Sequence, residues 1–178
     1  EGSIKPLPHL SFPMARISHV FRYMAQARHI GKLVLTQGQH QSEDLSESTV
    51  LVTGGLGVLG RQVARWLAET RSVGHLLLTS RRGAGAPGAQ EFIAELETLG
   101  AKVTVAACDV ADGHSLGLAL KGLEPAHPLK GVIHAAGILD DGVINALDPE
   151  RMMRVFRPKV YGGWNLHVLT QSADLDFF

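Results

Sequence analysis

The glycines that follow a short apolar run are the residues whose types and spacing best define a chemistry. Val50, Leu51 and Val52 have the character of a buried strand, the sequence GGLGVLG follows them, and residues 61–70 have a helical pattern. A strand, a glycine turn and a helix N-terminus can hold a pyrophosphate, because glycines permit a tight turn, close approach of the backbone to phosphate, and close helix packing. The stretch therefore predicts dinucleotide binding.

A second polar segment, TSRRG at 79–83, follows the next apolar run. A site that prefers NADH places Asp or Glu about 20 residues after the glycines, where it accepts hydrogen bonds from the ribose hydroxyls. This chain has Ser80, Arg81 and Arg82 there. Because a guanidinium offers a planar fork of donors to a phosphate, we expect NADPH as the cofactor. The alternative interpretation of the two arginines is a solvated basic loop.

The bulk composition limits the classes of function. The 178 residues allow one domain, or one domain and part of another, and the net charge of zero predicts neither nucleic acid nor a membrane as partner. A single cysteine excludes an internal disulfide and favours the cytoplasm, and no apolar run reaches the roughly 20 residues of a membrane span. The nine histidines have no metal-ligand spacing, so no metal is expected. Both ends of the sequence have the character of cuts within a longer chain.

The chain divides into three zones. Residues 1–36 combine a Pro-rich opening with a helix and a short strand, residues 37–48 are polar and read as a linker, and residues 49–178 alternate strands with helices. This third zone predicts an α/β, Rossmann-like, doubly wound parallel sheet, truncated and preceded by a short tail from another domain. The predicted strands are 49–53, 75–79, 102–107 and 131–135. The predicted helices are 58–70, 88–99, 112–122, 148–156 and 158–172.

The third zone resembles the ketoreductase domain of modular polyketide synthases, a branch of the short-chain dehydrogenase/reductase superfamily. The resemblance covers about 130 residues and rests on motifs in the family's order. These motifs are TGGLGVLG at 53–60, TSRRG at 79–83, Asp109-Val110, HAAG at 134–137, LDDG at 139–142 and PKVYGGWNLH at 158–167.

The resemblance implies a set of cofactor-binding residues at four loops. The glycine loop would hold the phosphates, the TSRRG segment would select NADPH, Asp109-Val110 would hold the adenine, and the HAAG segment would line the cofactor. The implied residues are Thr53, Gly54, Gly55, Leu56, Gly57, Leu59, Gly60, Ser80, Arg81, Arg82, Asp109, Val110, Ala135, Ala136 and Gly137.

The resemblance also implies one catalytic residue, Lys159, which matches the lysine of the family's PKVxG segment. In the family a Tyr donates the proton, a Ser hydrogen-bonds the ketone oxygen, and the lysine lowers the pKa of the Tyr. That Ser and Tyr follow a fifth strand and match nothing in this sequence, so we expect no ketone reduction by this chain alone. Leu139, Asp140 and Asp141 resemble the substrate-orienting signature of B-type ketoreductases, which give a D-hydroxyl, and Asp141 is the better candidate for a direct role.

The first zone resembles the C-terminal end of an enoylreductase domain of the same synthases, on the pattern PLP…FP…FRYMAQARHIGKLVL. The implied partners are an acyl-carrier-protein-bound β-ketoacyl thioester and the other domains of the synthase. Two alternatives remain open at this point. One is a non-catalytic, structural ketoreductase-like module, which usually lacks the glycine loop and the arginines, and the other is an unrelated NADP-dependent epimerase or dehydrogenase.

Overall fold

The computed structural model describes residues 7–36 and 44–178. The chain forms two compact units that divide between Glu43 and Asp44. Most of the linker expected at 37–48 lies outside the described residues. Its last part belongs to the second unit, because Leu45 is almost fully buried in that unit's apolar core.

The first unit is a small strand–helix–strand element. It contains strand β1 (His9–Pro13), helix α1 (Ile17–Ala25) and strand β2 (Lys32–Thr36), and the two strands pair in parallel. The helix and the second strand confirm the sequence prediction, whereas β1 lies in the stretch that the prolines had marked only as a Pro-rich opening. Within α1 only Val20 is buried.

The second unit is built on a four-stranded parallel sheet. Its strands are β3 (Thr49–Thr53), β4 (His75–Ser80), β5 (Lys102–Ala107) and β6 (Leu129–His134), in the spatial order β5-β4-β3-β6. These bounds agree with the predicted strands to within two residues. The segment that ends the chain continues the sheet beyond β6, where Phe177 bridges to Gly131 in parallel.

Helices cover both faces of this sheet. They are α2 (Val58–Arg71), α3 (Ala89–Thr98), α4 (Gly113–Lys121) and α6 (Gly162–Thr170), whereas α5 (Pro149–Phe156) contains no buried residue. One apolar cluster joins β3 and β4 to α2 and α3, and a second joins the opposite side of the sheet to α4 and α6. Because apolar side chains leave the sheet on both sides, the fold is doubly wound, as predicted.

Local signals explain where the helices begin. Asp112 caps α4 by accepting from the backbone N–H groups of His114 and Ser115, and Asp148 caps α5 just before Pro149. The predicted helix 158–172 does not start as a separate α-helix. Residues Arg157–Tyr161 form a π-helical turn that joins α5 to α6 without a break.

The described part of the chain contains no helix with the length and apolar content that crossing a bilayer requires. Within the same ranges, no three His, Cys, Asp or Glu side chains are grouped so that they could hold a metal ion.

Candidate functional site

The strand order creates a crevice at one edge of the sheet. The chain runs outward from β3 through β4 to β5, and then returns to β6 on the other side of β3. In an open parallel sheet, ligands bind where the strand order reverses, beyond the carboxyl ends of the strands. The glycine loop after β3 and the segment 135–137 after β6 flank this point. They lie so close that a Cβ on Gly54 would stand 2.8 Å from Cα of Ala136.

The glycine loop is a tight turn that only glycine allows at two positions. Gly54 has a φ of +64°, and a Cβ on Gly60 would stand 2.2 Å from the carbonyl oxygen of Gly54. No side chain caps the N-terminus of α2, and Val58 and Leu59 at its start are 87% and 64% exposed. The first backbone N–H groups of α2 therefore face an open surface, as an anion site requires.

The arginine pair lies at the end of the neighbouring strand, β4. Arg81 and Arg82 are exposed, and their guanidinium groups make no hydrogen bond or ion pair with any residue of the two described ranges. The turn behind them is closed by Gly83, whose φ is +53° and whose Cβ would stand 2.9 Å from Cβ of Ala107. Two guanidiniums beside the glycine loop are thus available to a phosphate.

The segment after β5 is tied to the helices opposite. The carboxylate of Asp109 accepts from the N–H of Ala111 at 3.0 Å and forms an ion pair with Arg157 at 3.4 Å. Val110 is buried, and its carbonyl accepts from the side chain of Asn165 at 3.0 Å. Of the two residues expected at the adenine, Asp109 therefore lies nearer to the surface, and Val110 belongs to the packing against α6.

A hydrogen-bonded chain joins the end of β6 to the π turn. Nε2 of His134 lies 2.9 Å from the carbonyl oxygen of Pro158, and Nδ1 lies 2.6 Å from the hydroxyl of Thr53. A carbonyl can only accept, so Nε2 carries the proton and Nδ1 accepts from Thr53. The Thr53 oxygen in turn accepts from the N–H of Ala136 at 3.2 Å. Burial lowers the pKa of His134, and the Pro158 carbonyl opposes this only in part, which favours the neutral ring.

Lys159 follows Pro158 in the π turn and reaches toward the HAAG segment. A Cβ on Gly137 would stand 3.7 Å from Cε of Lys159. Single π-helical turns within α-helices often occur at functional sites. Here the turn places the lysine beside the segment that follows β6, and His134 holds the carbonyl next to it.

A cavity of about 340 Å³ lies between Lys159 and the LDDG segment. Leu139, Asp140 and Asp141 border it together with residues of α5. The hydrogen bonds from the guanidinium of Arg151 hold the pKa of Asp140 below its ordinary value, and burial opposes this only in part. Asp141 is exposed, and its carboxylate makes no hydrogen bond or ion pair with the described residues.

The structure brings the expected residues to one edge of the sheet. All four cofactor segments follow the carboxyl ends of parallel strands, and Lys159 joins them through Gly137. The bonding of His134 and the anchoring contacts of Arg151 and Asn165 were not predicted from the sequence. No local signal marks the bonds from His134 to Pro158, from Arg151 to Asp140 and from Asn165 to Val110, because they join residues that are 24, 11 and 55 positions apart.

A parallel sheet covered on both faces, with a glycine loop at its switch point, defines a Rossmann-like nucleotide-binding fold. Comparison with known proteins agrees with this class and narrows it. Residues 48–178 match the family model of the KR domain. Over its whole length the chain is 48% identical to a segment of a polyketide synthase, GfsB, from Streptomyces halstedii. That segment is 3% of the synthase. Over 99% of its length it is 46% identical to a segment of the erythronolide synthase EryA2 from Saccharopolyspora erythraea. That segment is 5% of the synthase.

Solved structures show the same likeness. An A-type ketoreductase from a modular polyketide synthase is 48% identical over 73% of this chain and 28% of that chain, with a TM-score of 0.70. An A1-type ketoreductase is 45% identical over 80% of this chain and 30% of that chain, with a TM-score of 0.73. The chain belongs to the KR domains of modular type I polyketide synthases, which are Rossmann-type reductases that use a nicotinamide cofactor. It spans only a small part of the relatives that it matches.

Proposed function

We propose that this chain supplies the NADPH-binding half and one catalytic residue of a β-ketoacyl reductase that acts on a thioester of acyl carrier protein. The observation that carries the proposal is the arginine pair at the end of β4. Arg81 and Arg82 are exposed at the end of the strand next to the glycine loop, and their side chains have no hydrogen-bond or ion-pair partner among the described residues. This suits them to the 2′-phosphate that distinguishes NADPH from NADH.

The residues at the sheet edge fit such a dinucleotide. The N–H groups at the start of α2 would bind the pyrophosphate, Ser80 and the two arginines the 2′-phosphate, and Asp109 the adenosine side of the cofactor. The segment Ala135–Gly137 would line the nicotinamide end. When bound there, the cofactor supplies the hydride that reduces the ketone at the β-carbon.

Lys159 is the catalytic residue in this proposal. Its ammonium group would bind the nicotinamide ribose and lower the pKa of a catalytic Tyr, since a nearby positive charge stabilises phenolate. No residue of this chain matches that Tyr or the Ser that accompanies it, so both would belong to another part of the synthase. The chain alone would then bind cofactor without reducing a ketone.

The LDDG segment supports a B-type assignment, with a D-hydroxyl in the product. Leu139 and Asp141 are exposed beside the cavity that contacts Lys159, where an acyl chain could pass. The two solved relatives described above are named as A-type and A1-type. The configuration of the product of the complete reductase therefore tests this assignment directly.

The remaining segments would belong to the same synthase. We assign residues 1–36 to the C-terminal end of an enoylreductase domain, 37–48 to a linker and 49–178 to the ketoreductase. The support for the first assignment is the sequence pattern together with the parallel β1–α1–β2 unit, because parallel strands need a crossover and are typical of α/β domains. The test is to assay a longer polypeptide of the synthase, extended upstream of residue 1, for reduction of an enoyl thioester. Reduction would support the assignment.

The experiment that tests cofactor binding is calorimetric titration of the full chain with NADPH and with NADH. We expect NADPH to bind at least about tenfold more tightly, and the double variant Arg81→Ala/Arg82→Ala to lose that preference, since one lost charge-assisted contact costs about 1.5–3 kcal/mol. The double variant Arg71→Ala/Lys121→Ala is the matched control. It removes the same charge from the C-terminal ends of α2 and α4.

The alternative function is a structural ketoreductase-like module that binds no cofactor. Failure of both nucleotides to bind a chain with native circular dichroism would favour this alternative. Equal binding of NADPH and NADH would retain the dinucleotide site but contradict the role of the two arginines.

A further inference from the structure

The loop 138–147, which carries the LDDG segment, is not held in place by burial. Every residue from 141 to 147 is exposed, and the apolar side chains Leu139, Val143 and Ile144 are 83%, 74% and 83% exposed. The loop's own backbone supplies two turn hydrogen bonds, from Ala146 to Val143 and from Leu147 to Ile144. A loop with few buried apolar contacts has little intrinsic stability, so its polar contacts become important for its order.

One side chain, Arg151 on α5, makes most of the polar contacts to this loop. Its Nε donates to Oδ1 of Asp140 at 2.9 Å, and Nη1 donates to the carbonyl of Ala146 at 2.7 Å. Its Nη2 also donates to Oδ1 of Asp140 and reaches the carbonyls of Asp140 and Asp141 at 3.5 and 3.2 Å. The guanidinium thus connects both ends of the loop to α5, which a planar fork of donors can do and a single ammonium cannot.

Two further features fix the position of this guanidinium. The N–H of Arg151 donates to the capping carboxylate of Asp148 at 2.8 Å, which places the residue in the first turn of α5. The loop passes so close that a Cβ on Gly142 would stand 3.1 Å from Nη1. Arg154, one turn further along α5, adds only one bond, to Oδ2 of Asp140 at 2.9 Å, and is more exposed than Arg151.

We propose that Arg151 is a positioning residue that fixes the loop 138–147 beside the cavity at Lys159 and so determines which face of the ketone is reduced. The loop forms one wall of that cavity. The ratio of the products from the two faces of a ketone depends on the difference between two transition-state free energies. A cavity wall that moves makes this difference smaller, so both faces react. The inference deepens the proposed reductase function and rests on it.

The test uses the complete reductase, NADPH and a β-ketopentanoyl thioester as the probe, and it measures the ratio of the two β-hydroxy enantiomers. For Arg151→Met we expect the ratio to fall by at least about tenfold, which corresponds to about 1.4 kcal/mol. We expect the affinity for NADPH to stay unchanged, because the cofactor segments do not contact Arg151. Arg154→Met is the matched control on the same helix, and we expect it to keep the ratio within about threefold, as an exposed single ion pair contributes little.

A second variant and a second readout keep the test interpretable if Arg151→Met alone impairs the enzyme. Asp140→Asn keeps an acceptor but removes the charge that Arg151 binds, and we expect it to lower the ratio as well. Amide hydrogen exchange in 138–147 of the full chain should accelerate in Arg151→Met and not in Arg154→Met, a result that does not depend on activity.

The possible outcomes distinguish a failure of this inference from a failure of the proposed reductase function. A complete reductase that reduces no ketone contradicts the proposed function, and faster loop exchange in Arg151→Met would still support the anchoring. A reductase whose Arg151→Met and Asp140→Asn variants lose rate or thermal stability but keep the enantiomer ratio would overturn the inference.

Discussion

At the residue scale, two histidines of the sheet must be neutral in opposite tautomers. In His134 the proton is on Nε2, because that atom faces a carbonyl. In His75, Nδ1 lies 2.9 Å from the hydroxyl of Thr49, which already donates its proton to the carbonyl of His127 at 2.7 Å. Nδ1 of His75 must therefore donate, and Nε2 accepts from Thr104 at 2.9 Å.

This arrangement predicts a distinct nitrogen NMR pattern for each ring. At about pH 7.5 we expect a protonated Nε2 with an unprotonated Nδ1 in His134, and the reverse in His75. Long-range nitrogen–proton correlation spectra of the labelled chain measure this directly. Assignment uses His134→Asn and His75→Asn, each of which removes one set of signals. A protonated Nδ1 in His134 would contradict the bond to Pro158.

Gly60 is a second residue whose environment makes a sharp prediction. A Cβ there would stand 2.2 Å from one backbone oxygen and 2.7 Å from the Cα of Gly55, neither of which can move freely. We expect Gly60→Ala to destabilise the second unit by about 1–3 kcal/mol and to abolish NADPH binding. Chemical denaturation and titration would measure the two effects.

The control for Gly60→Ala is Gly163→Ala. Gly163 lies in α6, and nothing comes within 4 Å of its Cβ position. Alanine within a helix is favoured over glycine by up to about 1 kcal/mol, and the added Cβ meets no neighbour here, so this variant should be as stable as the parent or more stable. Equal stability of the two variants would mean that the glycine loop is looser than the structure shows.

At the element scale, the start of α4 depends on one capping side chain. The carboxylate of Asp112 accepts from two backbone N–H groups, and that from His114 contributes most to lowering its pKa. We expect Asp112→Ala to cost about 0.5–2 kcal/mol and Asp112→Asn clearly less, because the amide oxygen still accepts. Denaturant titrations of the three proteins give these differences. Equal losses in Ala and Asn would show that charge, not the cap itself, stabilises the helix.

The regular elements could be predicted from sequence because their signals are local. The apolar run Val50–Val52 is soon followed by glycines, and Asp148-Pro149 marks a helix start, so both elements are found where expected. No local signal predicted the π turn, whose Pro158 carbonyl accepts from His134, 24 positions away. In the same way, the LDDG motif indicated a site, but its contacts with Arg151 could not be predicted. They form only when α5 is folded and packed beside the motif.

At the scale of the whole second unit, stability should fall on mild acidification. Burial is the main cause that lowers the pKa of both His75 and His134 below the ordinary value of 6.5. Well above pH 6.5 both rings are neutral in the folded and the unfolded chain. Below it the unfolded chain binds protons that the folded chain does not, so stability decreases as the pH falls toward the folded pKa values.

Urea denaturation at about pH 7.5, 6.5 and 5.5 measures this dependence. The variant His134→Asn should show a shallower decrease, because one titrating group is gone. His114→Gln, which replaces a histidine whose side chain is exposed, is the control for the substitution itself. A stability that is flat between pH 7.5 and 5.5 would contradict the assignment of neutral, buried rings.

The polar pairs at the two ends of β3 have a consequence for how the sheet is assembled. Val50, Leu51 and Val52 are buried whichever way they point, since both faces of the sheet are apolar. Hydrophobicity alone therefore cannot distinguish the native strand alignment from one that slips by a single residue. Thr49 with His75 at one end, and Thr53 with His134 at the other, can both pair only in the native alignment. The two pairs therefore favour the native alignment of β3 over the slipped one. One of them, through His134, is also hydrogen-bonded to the carbonyl next to Lys159.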